Sequence, residues 1–346
     1  MFEVWALSII FLIVLVLPFR VRWVEHNLGP FLFLMGLIAA TVTWSWDWHL
    51  VEEAATTPIP ITAAVLVAGS VVHIFHQQLQ RLILWISDRI SLRLFIFLVV
   101  VFLGLASSII SAIIAALFLV TVLEILPLVR RSRINITVIA CFAIGMGAVL
   151  TPLGEPLSTI TVSALEGEPY YAGFFFLTDL LGYLVVPGVV AMGFLAASPL
   201  ILSSSPTDVS GGLQLRESYR EVIKWCIKIF VFVAALVLLG ESFSVLIEKY
   251  FIKLDPWVLY WINTVSAILD NATLAAAEIG PALSVSQIKV VLISLMISGG
   301  MLIPGNIPNI IAADKLQIGM REWASVAVPI GVVLLSVYFV VVFYIL

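Results

Sequence analysis

The sequence predicts an all-α polytopic membrane protein built from two inverted structural repeats, each with a re-entrant hairpin and a discontinuous helix. Three observations carry that reading. Apolar runs recur from end to end of a chain that is 62% hydrophobic and 11% charged, with mean hydropathy +1.18, a composition outside the range of soluble domains. Proline and glycine motifs interrupt two of the runs at corresponding places. Basic residues collect on alternate loops, as they do on the cytoplasmic side of membrane proteins.

Residues 1–57 form N-terminal helices outside the repeat, over Val4–Phe19 and Gly29–Trp44, expected to act as scaffold or dimer contact. The first run follows Glu3 instead of a basic region and lacks an A-x-A pattern, so it reads as a retained helix. Trp44, Trp46 and Trp48 fit an interfacial aromatic belt. Repeat 1 occupies residues 58–200. It opens with a spanning run, Pro58–His76, followed by Leu79–Ile90, whose apolar residues share one face, as in a connector lying in the interface. A hairpin over 92–128 follows, with its tip at Ser107, Ser108 and Ser111. A broken helix over 134–165 is interrupted at Thr151–Pro156, and Tyr171–Leu200 crosses again. Repeat 2, residues 201–346, has a polar loop over Ser203–Arg220 and a spanning run, Glu221–Ile247. A hairpin over 254–281, a broken helix over 285–318 interrupted at Pro304–Pro308, and a last span from Trp323 complete it.

Shifting the first break by 152 residues lays Gly147, Leu150, Pro152 and Pro156 on Gly299, Leu302, Pro304 and Pro308. A shift of 155 lays Ile110-Ser-Ala-Ile on Val265-Ser-Ala-Ile, and with a one-residue slip Glu124 meets Glu278. These are two copies of one unit. Each copy crosses the bilayer three times, so the second is inverted. In that topology 13 of the 17 Lys and Arg residues fall inside, among them Arg20, Arg130, Arg131, Arg133, Lys315 and Arg321. Outer loops carry Asp47, Glu52, Glu53, Glu166 and Glu168, while Lys249 and Lys253 run against the scheme. The expected location is the cell membrane, with both termini outside.

Functional candidates sit at the irregular points. A carboxylate at the bilayer centre costs roughly 2.5 to 3.5 kcal/mol even on the lenient insertion scale, so it marks a site by default. Asp270 lies in such a run, Asn263–Pro281, with Asn263, Ser266, Asn271 and Thr273. Glu155 lies in the first break with Thr151, and Asn306 and Asn309 mark the second, while Ser111 marks the first hairpin. The breaks themselves are Pro152, Gly154, Pro156, Pro304, Gly305 and Pro308. Broken backbone at membrane depth is tolerated only inside protein or beside a wet cavity, and inverted repeats with interrupted helices are the mark of secondary transporters. Two carboxylates among amides, hydroxyls and freed carbonyls, with no Arg or Lys in either motif, form an anionic oxygen site for a small hard cation. Na⁺ is expected at Asp270, Asn271 and Glu155, in competition with H⁺ for the carboxylates, and inversion is expected to bring Asp270 and Glu155 into one cavity. Glu124, Glu278 and Asp179 are gating or proton-path candidates.

Other classes are disfavoured. The net charge of −4 is dispersed, without the basic tract that nucleic acid requires. Cys141 and Cys226 stand alone in apolar runs, and His73 and His76 lack a third ligand, so neither a disulfide nor a zinc site is expected. An enzyme is not expected, because no HExxH, Gly-x-Ser-Gly or paired YD and GxGD motif occurs. No cofactor is expected beyond Na⁺ and H⁺ as transported ions. The alternative within transport is a sodium-coupled carrier of a small carboxylate or oxyanion, bound at half-helix dipoles.

At Leu150-Thr-Pro-Leu-Gly-Glu-Pro156 and Ser266-Ala-Ile-Leu-Asp-Asn-Ala-Thr273 the chain resembles the ion transporter superfamily. It is most similar to NhaD-type sodium/proton antiporters and an uncharacterised group of related cation transporters. The resemblance covers about residues 92–346. It implies two inverted repeats, usually a homodimer, and an ion site with its hairpin motif on Asp270, Asn271 and Thr273. The break motif falls on Thr151, Pro152, Gly154, Glu155 and Pro156. Ser111 and Ala115 stand where antiporter relatives tend to carry Asn or Asp.

Overall fold

The structure, a computed structural model, describes residues 2–202, 219–246, 254–269 and 271–345. Asp270, the polar loop up to residue 218, and Lys249 and Lys253 lie outside the described residues, as do the side chains of His73 and His76. All described regular structure is helical. Four helices precede the repeat: α1 (Phe2–Arg20), α2 (Arg22–His26), α3 (Leu28–Val42) and α4 (Trp48–Thr56). Then come α5 (Pro58–Ser87), α6 (Leu92–Ile110), α7 (Ala112–Ile125), α8 (Arg130–Ala148), α9 (Pro156–Ala164) and α10 (Phe176–Ala196). The remainder are α11 (Tyr219–Leu246), α12 (Pro256–Ile262), α13 (Asn271–Glu278), α14 (Val285–Ser298), α15 (Ile307–Lys315) and α16 (Met320–Val340).

Local chemistry fixes many of these boundaries. Asp47 and Ser91 accept from the backbone N–H groups of Leu50 and Leu94, capping α4 and α6 with side-chain oxygens. Ser284 and Gln287 form a reciprocal capping box at α14, satisfying two orphan donors. Pro58, Pro156 and Pro256 open their helices, where the missing N–H is not needed.

Six described helical segments are long and apolar enough to cross a membrane, and this is an integral membrane protein. Large apolar side chains such as Ile9, Leu12, Phe102, Val333 and Val337 are exposed on α1, α6 and α16, as lipid-facing surfaces require. At the centre, α8 is buried without interruption from Ile136 to Ala148, and α14 from Val290 to Ser298. Gly147 of α8 and Gly104 of α6 let the two backbones nearly touch, because a Cβ on Gly147 would overlap the Gly104 carbonyl; small residues permit such crossings.

Two segments differ from the sequence expectation. The amphipathic stretch Leu79–Ile90 is no separate connector: α5 runs unbroken through Ser87 for 30 residues, about 45 Å at 1.5 Å per residue. An apolar face does not require a helix to turn. The segment 92–128 contains one full-length helix, the 19-residue α6, which meets the 14-residue α7 at Ser111. Ser107 and Ser108 leave α6 intact because their hydroxyls donate back to the carbonyls of Gly104 and Leu105 at 2.6 and 2.7 Å, a habit of serine in apolar helices.

Contacts at both ends orient the broken helices. At one end Arg130, which starts α8, donates to Glu322 at 2.8 Å and to the Gln317 carbonyl, just past α15, at 2.9 Å. At the other, Tyr170, beyond α9, donates to the carbonyl of Leu283, just before α14. The α8–α9 and α14–α15 pairs therefore run antiparallel. Between them, α13 packs on α9 and α7 packs on α15. Outside this centre, α11 packs along α3, α4 and α5.

Candidate functional site at the helix breaks

Four irregular points converge in the interior. α8 stops at Ala148 and α9 resumes at Pro156; α14 stops at Ser298 and α15 resumes at Ile307. Glu155 and Asn306 hold the residue just ahead of each resumed helix, both with extended backbone (φ −159° and −155°). Their side chains meet: Asn306 Nδ2 donates to Glu155 Oε2 at 3.2 Å. Both residues are about 95% buried, at 6% and 5% exposure. Gly145 makes room, since a Cβ there would stand 3.1 Å from Asn306 Nδ2. Sequence alignment of the repeats pairs Glu155 with Ile307; in space its counterpart is Asn306.

The junction of α6 and α7 closes on the first break. Ala112 N–H donates to the Gly154 carbonyl at 2.9 Å, and Thr151 donates to the Ser108 carbonyl. Ser111 itself sits at φ 73°, ψ 151°, a conformation that costs a residue with a Cβ about 1–3 kcal/mol and that recurs at functional sites. The 3₁₀ turn Asn263–Ala267, which follows α12, closes on the second break. A Cβ on Gly305 would lie 2.8 Å from the Ser266 carbonyl oxygen, so only glycine allows this approach. Ser266 and Ser298 share a hydrogen bond of 2.9 Å, and Ser298 also donates to the Asn263 carbonyl at 2.8 Å. Asn263 donates through Nδ2 to Glu278 Oε2 and to Ser294 Oγ, each at 3.0 Å.

Polar side chains at the breaks also donate to backbone carbonyls. Asn309 Nδ2 donates to the carbonyls of Gly299 and Leu302 at 2.9 and 3.0 Å. Those carbonyls are left over where α14 breaks, so Asn309 works as a backbone cap. Ser158 and Thr159, near the start of α9, return their hydroxyls to the carbonyls of Glu155 and Pro152 at 2.7 and 2.6 Å. Asn271, 3% exposed, faces Gly299 of the second break, and its buried Nδ2 has no acceptor among the described residues; turning the amide over presents Oδ1 there instead. Thr273 packs its side chain against Gly240 of α11. Asp270 lies outside the described residues; Asn271 stands beside the second break, and the Asn306–Glu155 bond joins that break to the first.

Glu124 is half-buried on α7. Asp179 is exposed in the first turn of α10, which begins only at Phe176; it complements the positive helix end and is not deep in a span. Ser294, Ser298 and Thr178 are polar residues of the centre that the sequence reading missed. Thr178 donates to the Leu150 carbonyl at 2.6 Å. Two serines one turn apart leading into a break were the available signal. A cavity of about 380 Å³ opens between α3 and α11 on one side and α15 and α16 on the other, reaching Ile303 in the second break. Lys228 and Asp314 form an ion pair of 2.8 Å in its wall.

A family model for a protein of unknown function (DUF1646) matches residues 4–345. The chain belongs to the DUF1646 family. The match takes in both broken helices and the N-terminal helices. No curated protein matches this DUF1646 member.

Proposed function

We propose that this protein is a secondary active transporter, a cation/proton antiporter of the Na⁺/H⁺ kind, with its site at the meeting of the two broken helices. The observation that carries the reading is the buried hydrogen bond from Asn306 to Glu155, which joins the start of α15 to the start of α9. A carboxylate held there among amides and backbone carbonyls has the donor set of a small hard cation. Na⁺ and H⁺ competing for Glu155 give exchange without further machinery. Asn271, and Asp270 beside it, complete the ligand set in this reading.

The repeat supports it. Carrying α7 onto α13 and α15 onto α9 exchanges two contacts of the fold, α7 with α15 and α13 with α9, as a pseudo-two-fold axis through the breaks requires. The antiparallel run of the broken helices supports inversion of the second copy. The basic residues gathered around Arg130, Lys315 and Arg321 mark the cytoplasmic end in this scheme, and the cavity reaching Ile303 is the inner approach. Helices α1–α4 with α11 act as scaffold, with α1 available for a homodimer contact. One observation favours the sodium-coupled anion carrier: the N-termini of α9 and α15 converge at the site, and helix N-termini attract anions. The glutamate already placed there opposes a second anion.

Reconstitution into vesicles containing a pH dye tests the proposal. Addition of Na⁺ or Li⁺ outside is expected to alkalinise the lumen, as each entering cation is exchanged for outgoing protons, with saturation. Vesicles that show no cation-evoked pH change while taking up a carboxylate or oxyanion with Na⁺ would support the anion carrier instead.

A further inference from the structure

The interior holds a second carboxylate centre, at Glu278, about which the proposed exchange site says nothing. Glu278 closes α13, one residue before Ile279 and the half-buried Gly280 and exposed Pro281 of the following turn, yet it is itself only 6% exposed. Its Oε2 accepts from Asn263 Nδ2 at 3.0 Å, which leaves Oε1 buried with no partner among the described residues, and Asn263 Oδ1, on a fully buried side chain, has none among them either. Two adjoining acceptors without donors are a costly arrangement for an ionised acid. A proton on Glu278 resolves it, since a carboxylic acid brings its own donor.

Among the described residues, the charged groups on the surrounding elements do not neutralise the acid. Asp255, ahead of α12, is exposed, and Glu241 on α11 is exposed and itself acidic. Lys289 of α14 donates to Tyr183 at 2.9 Å, towards α10. α9 carries no titratable residue, and no ion pair joins Glu278 among the described residues. Glu278 also lines a cavity of about 30 Å³ with Leu259, Leu283, Gln287 and Val291, room for about one or two waters. Gln287 belongs to the capping box of α14, whose Ser284 is exposed, so the cavity lies between the acid and the surface. Inward, Asn263 is tied through Ser298 and Ser266 to the second break.

We propose that Glu278 is a proton-binding site separate from Glu155. It takes its proton through the small cavity from the end of the molecule that carries Leu283, with Asn263 as the positioning residue that links it to the helix breaks. Its use in transport rests on the antiport reading; proton binding itself does not. Infrared difference spectra of the intact protein in lipid, recorded from about pH 4 to about pH 9, where buried glutamates titrate, read the carboxylic acid C=O band without any transported cation. A band that appears as pH falls is expected in the wild type and in Glu155→Gln, absent in Glu278→Gln and moved in frequency in Glu278→Asp. Asn263→Ala is expected to shift the same band, because it removes the donor to that carboxyl. If Glu278→Gln and Glu278→Asp both leave the wild-type band set unchanged at every pH, Glu278 does not bind a proton and the proposal fails, whatever the vesicle assay has shown.

Discussion

The break after α8 and the break after α14 share a backbone plan. Each ends a helix buried over its last turns, passes through an extended residue, and restarts a nine-residue helix beside a proline. They differ in the side chain at that extended residue, Glu155 in one and Asn306 in the other. Two carboxylates there would repel and two amides would carry no charge; one of each gives a donor facing an acceptor and leaves a single negative charge in the pair. The two breaks thus share a backbone plan and differ in the side chain that would carry the proposed chemistry.

The sharpest way to break that comparison is to alter the pair. Glu155→Gln is expected to abolish cation-evoked proton movement in vesicles while the protein still elutes as a folded species. Asn306→Asp, which sets two acids together, is expected to disable exchange as well. The double exchange Glu155→Asn with Asn306→Glu is expected to restore part of it, and recovery no better than either single variant would mean that the two breaks do not form one site. Asn306→Ala removes a hydrogen bond to a charged group, worth about 1.5–3 kcal/mol, so Na⁺ affinity is expected to fall roughly tenfold or more.

Stability variants sharpen the same contrast between chemistry and scaffold. Gly147→Ala drives a Cβ into the Gly104 carbonyl and is expected to destabilise by about 3 kcal/mol, read as a lowered melting temperature in detergent. Asn309→Ala deprives the carbonyls of Gly299 and Leu302 of their side-chain donor, at about 2 kcal/mol; exchange by the surviving folded protein should be retained if Asn309 is a cap and not a ligand. Arg130→Ala is expected to have the smallest effect, below about 1 kcal/mol, because its pair with Glu322 is exposed on both sides at 56% and 41%.

Much of this was legible in the sequence because its causes are local or periodic. The breaks at Thr151–Pro156 and Pro304–Pro308 announce themselves through proline and glycine, and a glutamate in an apolar run can hardly be overlooked. Other features depend on partners distant in the chain. Whether Leu79–Ile90 turned away or continued α5 was undecidable from its amphipathic face. Ser107, Ser108 and Ser111 look alike as letters, yet only Ser111 ends a helix, since the first two can bond back one turn. That Asn309 caps the carbonyls of Gly299 and Leu302 could not be read from the letters, because those carbonyls become orphans only once α14 breaks in space. Ser294 and Ser298 went unnoticed because serine in a membrane helix is ordinary; it is the convergence of Asn263 and Ser266 on them that gives them a part. The one-residue offset that makes Asn306, and not Ile307, the counterpart of Glu155 is likewise a fact of the folded backbone.

The central claim is that Glu155, joined to Asn306, is where a cation and a proton compete. Calorimetric titration of the purified protein with NaCl at two pH values tests it most directly. Saturable Na⁺ binding that weakens as pH falls, releases protons, and disappears in Glu155→Gln is the predicted result. Na⁺ binding that is independent of pH, or that survives unchanged in Glu155→Gln, would contradict it.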